Sequence, residues 1–106
     1  MPSHEDTILK AVRDADRGRR NLAALAAHLG AQAQDLFGPL ARLLPRTADP
    51  DMALNNLERL FAKPEARAQL PGLLETRARE LDATLQLLAT SQFFADTLST
   101  YPDFLA

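Results

Sequence analysis

Asp49-Pro50-Asp51 is the stretch of this sequence whose residue types and spacing come closest to a reactive metal site. Two carboxylates one residue apart offer hard oxygens that can hold Mg²⁺ against a triphosphate, as nucleotidyl transfer requires. Pro50 argues the other way. Its fixed φ suits the first position of a helix, which makes Asp49 the N-cap and places Asp51 in the first turn, at the positive end of the helix dipole. Both acids are therefore expected to serve a helix start, and neither is assigned as a metal ligand.

The remaining chemistry-bearing residues are sparse. The two histidines, His4 and His28, lie far apart in sequence. His4 sits near the terminus and His28 just ahead of Gly30, where a helix would end and a cation suits its dipole. Without further ligands they make no metal centre. No cysteine is present, which removes disulfides, thiolate metal sites and a Cys nucleophile. No serine stands in a Gly-flanked nucleophile elbow. Glycines 18, 30, 38 and 72 are isolated, so no phosphate-cradling loop is formed. No catalytic, cofactor-binding or metal-binding residue is expected in this span.

The elements that carry these residues all read as helices. Apolar positions recur near 3.6 residues, and no segment alternates at period 2. Ser3 followed by Asp6 resembles a capping box opening a first helix with Ile8, Val12 and Ala15 on its buried face, ended by Gly18. Asn21 is expected to cap a second helix bearing Leu22, Leu25, Ala26 and Leu29, stopped by Gly30. A third is placed from about Asp35 to before Pro45, so that Pro39 falls in its first turn. Residues 45–50 form a break, and a fourth helix buries Ala53, Leu54, Leu57, Leu60 and Phe61. Pro64 allows a short helix to Leu70. After Pro71-Gly72 the longest helix carries Leu73, Leu74, Ala78, Leu81, Leu85 and Leu88. The fold class is all-α, an array of about six short-to-medium helices with short Pro- and Gly-containing connections. Residues 1–106 are expected to form a single helical domain or an N-terminal fragment of a larger chain.

Composition agrees with a globular helical protein: 46% hydrophobic and 25% charged residues, with Leu, Ala, Arg and Gln prominent. A net charge of −2 supplies no electrostatic drive toward nucleic acid or anionic lipid. Arg13, Arg17, Arg19 and Arg20 cluster, but Asp14 and Asp16 stand among them, which describes a solvated, self-neutralising helix end. No run approaches the ~18 apolar residues of a membrane span. The acidic start MPSHEDTILK is unlike a signal peptide, and a cytoplasmic location is expected. One helix-turn-helix pattern occurs in Leu22–Ala41, where Ala26-x-x-x-Gly30 could let two helices cross. Its would-be reading helix carries Gln32, Gln34 and Asp35 and no cation before Arg42, so no nucleic-acid partner is expected.

The last stretch, Leu81 to Ala106, concentrates the aromatics. Phe93, Phe94, Leu98, Tyr101, Phe104 and Leu105 form a candidate packing or interaction face. Tyr101-Pro102-Asp103 reads as a further helix start, which predicts that the chain is part of something longer.

Two stretches then speak together. Asp49-Pro50-Asp51-Met52-Ala53-Leu54-Asn55-Asn56-Leu57-Glu58-Arg59-Leu60 is followed, after a helix, by Ser91-Gln92-Phe93-Phe94-Ala95-Asp96-Thr97-Leu98 and Pro102-Asp103-Phe104-Leu105. This resembles the beginning of bacterial glutamine synthetase adenylyltransferase, a bifunctional enzyme that adenylylates and deadenylylates glutamine synthetase. That family opens with an Ala-Leu-x-Asn-Leu-Glu-Arg-Leu helix, then a Ser-x-Phe-Leu-Ala-Asp-x-Leu segment and a Pro-Glu-Leu-Leu-like segment. Phe94 here replaces Leu, and Asp103-Phe104 replaces Glu-Leu. The resemblance covers residues 49–106 and rests on helix-packing positions. It implies a helical support with no catalytic residue of its own, packed against a downstream nucleotidyltransferase domain and reaching glutamine synthetase through the parent enzyme. It also implies ATP and Mg²⁺ for that parent and none in this span. The alternatives are a stand-alone helical protein–protein interaction module and, third, helix-turn-helix DNA binding.

Overall fold

The computed structural model describes residues 3–75 and 78–90, and these contain seven α-helices, one short 3₁₀ helix and no strand. The all-α expectation holds. The helices are α1 (His4–Ala11), α2 (Ala15–Leu29), α3 (Gln32–Leu43), α4 (Pro50–Phe61), α5 (Pro64–Arg67), α6 (Leu70–Glu75) and α7 (Ala78–Thr90), with the 3₁₀ helix at Leu44–Arg46.

The chain starts on a capping box: Ser3 Oγ accepts from the Asp6 amide at 3.1 Å while Asp6 Oδ2 accepts from the Ser3 amide at 3.4 Å. The first helix is then shorter than the sequence suggested. It ends at Ala11, Val12 turns extended, and Asp14 caps α2 by accepting from the Arg17 amide at 3.0 Å. Gly18 and Asn21, expected as a stop and a cap, both lie buried inside α2. Gly18 is there for a close crossing. A Cβ at that position would stand 2.9 Å from Leu9 Cδ2 and 3.1 Å from Val12 Cγ2, so the absent side chain is what lets α1 lie across α2.

The α2–α3 connection follows expectation at its turn. Gly30 adopts φ +60°, a conformation that favours glycine, and its amide closes on the Ala26 carbonyl at 2.9 Å. α3 departs from expectation by starting at Gln32 and running through Pro39. An interior proline costs a helix about 3 kcal/mol. The same helix buries Leu36, Phe37, Leu40 and Leu43, each contributing roughly 1.5–3 kcal/mol, so two of these side chains already offset the proline. Tertiary burial decides the helix here.

The fourth helix forms as its sequence dictates. Asp49 Oδ1 accepts from the Met52 amide at 3.1 Å and Pro50 takes the first position. Its far end is closed by Arg67, whose guanidinium donates to the Phe61 and Ala62 carbonyls at 3.1 and 3.0 Å. A cation there both satisfies carbonyls left without helical partners and faces the negative end of the dipole. Beyond Pro64 the expected single helix to Leu70 is two elements, α5 ending at Arg67 and α6 starting at Leu70, with Pro71 and Gly72 inside α6. The segment expected as one long helix from Leu73 appears as α6 and α7, and residues 76 and 77 between them lie outside the described residues.

α4 is the hub. It packs on α2 along one side and on α7 along another, while α1 and α3 pair with each other beyond α2. Asp51 meets Arg13 and Asp14, Leu54 lies beside Gly18, and Glu58 meets His28. Residue numbers rise together on both helices, so α2 and α4 run in the same direction. Phe37, Phe61 and the leucines of α2, α3, α4 and α7 form one continuous core from Ile8 to Ala89.

Candidate functional site

The carboxylate pair at 49 and 51 is separated in purpose by the fold. Asp49 caps its own helix, and Asp51 turns away from it to the α1–α2 junction. Asp51 Oδ1 accepts from the Arg13 amide at 2.8 Å and Oδ2 from the Asp14 amide at 3.0 Å. A first-turn position alone signals only a favourable interaction with the dipole. The structure shows a tertiary clamp, with each oxygen directed at a backbone donor. These oxygens are committed to N–H groups and do not fit a Mg²⁺ site. Among the described residues no three His, Cys, Asp or Glu side chains converge to hold a metal.

His28 also has a partner that sequence spacing could not reveal. Its Nε2 lies 3.0 Å from Glu58 Oε2, half-buried between α2 and α4. Glu58 on α4 thus faces α2. The pair links two helices and stands next to no nucleophile, so its geometry is that of a strut. In the arginine cluster, Arg19 pairs with Asp16 at 2.8 Å, and both are well exposed. Such a pair contributes little to stability.

The helix-turn-helix expectation holds in connectivity and fails in packing. α2, the Gly30-Ala31 turn and α3 follow in the required order. However, Ala26, expected to be the small residue at the crossing, is exposed, while Ala33 of α3 is buried. α3 packs more extensively on α1 than on α2. Its exposed positions Gln32, Gln34, Asp35 and Arg42 balance one acid against one base, which is a poor surface for a phosphate backbone.

A cleft of about 290 Å³ opens where α1, α2 and α3 meet. Leu9, Leu22, Ala23, Ala26 and Phe37 line its apolar part, and Glu5, Arg19 and Gln34 stand at its polar edge. Gln34 Nε2 approaches Glu5 Oε1 at 3.5 Å, and Arg19 is held by Asp16. Apolar walls with one acid, one base and one amide can bind, but they hold no nucleophile beside a base. The aromatic set proposed from the sequence, Phe93, Phe94, Leu98, Tyr101, Phe104 and Leu105, lies outside the described residues.

No family model matches the chain, and no curated protein or solved structure matches it significantly. Among the described residues no helix is long and apolar enough to cross a membrane. The geometry is thus one of helix-to-helix fastening: a carboxylate clamp at 51, a buried amide at 56, a strut at 28 and 58, and a guanidinium cap at 67. Sequence reasoning found the helix start at Asp49-Pro50. It missed Asn56 and Arg67, whose signals were a polar residue on an apolar helical stripe and a cation shortly after a helix end.

Proposed function

We propose that this chain is the N-terminal helical part of a bifunctional glutamine synthetase adenylyltransferase and deadenylylase, acting in the cytoplasm on nitrogen assimilation. The observation that carries this reading is the run Ala53-Leu54-Asn55-Asn56-Leu57-Glu58-Arg59-Leu60, which resembles that family's opening helix and forms the hub α4. In this reading the span carries no catalysis. It presents a rigid helical body to a downstream nucleotidyltransferase domain, which holds ATP and Mg²⁺ and meets glutamine synthetase. Antibody raised to residues 49–61 tests it: the captured endogenous protein should yield nucleotidyltransferase-domain peptides by mass spectrometry. A captured protein of 11.6 kDa without such peptides overturns the reading. Residues 1–106 incubated with glutamine synthetase, ATP and Mg²⁺ should transfer no AMP, and measurable transfer would contradict the assigned supporting role.

A second reading, a self-contained helical interaction module, is favoured by the continuous core that the described residues form from Ile8 to Ala89. A cooperative thermal melt together with a defined oligomer in sedimentation supports the module over the fragment.

A further inference from the structure

We draw no further inference here: the strongest candidate, the cleft between α1, α2 and α3 walled by Leu9, Leu22, Ala26 and Phe37, is an apolar groove whose edge charges Glu5 and Arg19 are already met by Gln34 and Asp16, and nothing in the structure shows what covers it.

Discussion

The Asn56 side-chain amide donates to the Leu88 carbonyl at 2.9 Å, joining α4 to the last described turn of α7 inside the core. Asn56 is 1% exposed and flanked on α4 by Ala53, Leu57 and Leu60. Leucine surfaces alone tolerate sliding and repacking, because one apolar contact replaces another at similar energy. A buried amide does not, since its donor must find an acceptor. This bond therefore selects one register for the most extensive pairing among the described helices.

Asn56→Ala should destabilise the protein by about 1–3 kcal/mol, because it strands a buried carbonyl. Urea unfolding measures this directly, with Gln32→Ala on the exposed face of α3 as a control expected within about 0.5 kcal/mol of wild type. Equal stability of Asn56→Ala and the control would show that the α4–α7 register is set by leucine packing alone.

Asp51 makes a second separable prediction. Asp51→Ala removes two charge-assisted hydrogen bonds to the Arg13 and Asp14 amides, each of a kind contributing roughly 1.5–3 kcal/mol in favourable settings. Hydrogen exchange at those two amides should accelerate, while the Met52 amide, bonded to Asp49, should keep its protection. Asp49→Ala should give the reverse pattern. Millimolar Mg²⁺ should leave all three amide resonances in place, and a specific shift at Met52 together with Arg13 would revive the metal pair.

These residues mark where the sequence was legible. Helix class and the Asp49-Pro50 start follow from local rules, since periodicity and capping act over a few residues. The boundary between α1 and α2 was misplaced because Gly18 reads as a stop and Asp14 as one charge of a mixed cluster, while the deciding donor-acceptor contact comes from Asp51, more than thirty residues away. Pro39 misled in the same manner: its local penalty is offset by burial that only the folded neighbours provide. The candidate site suffered most. Asp51 read only as a helix-start acid, yet Asp51, Glu58 and Arg67 are each bonded to a partner outside their own helix.

Gly18→Ala sets helix propensity against space. Alanine favours a helix interior by about 1 kcal/mol over glycine. The new Cβ meets Leu9 Cδ2 at 2.9 Å and Val12 Cγ2 at 3.1 Å. Leu9 is half-buried at the cleft and can swing its tip aside. Val12 is buried and stiff at χ1, so it cannot. The overlap wins narrowly, and the variant should melt a few degrees below wild type. Gly18→Val, which adds two more methyl groups at the crossing, should lose at least about 2 kcal/mol. A more stable Gly18→Val would show that α1 does not lie across α2 as described.

His28 and Glu58 should couple weakly. Their side chains retain 29% and 22% exposure, so water competes for both partners of the 3.0 Å contact. A double-mutant cycle on His28→Ala and Glu58→Ala should return a coupling energy of about 0.5–1 kcal/mol, near the upper end for accessible pairs. Each single variant should lose more than the coupling alone, since each truncation also removes a side chain that is mostly buried between the two helices. A coupling above 2 kcal/mol would mean that the contact is a principal fastening between the two helices, on a level with the Asp51 clamp.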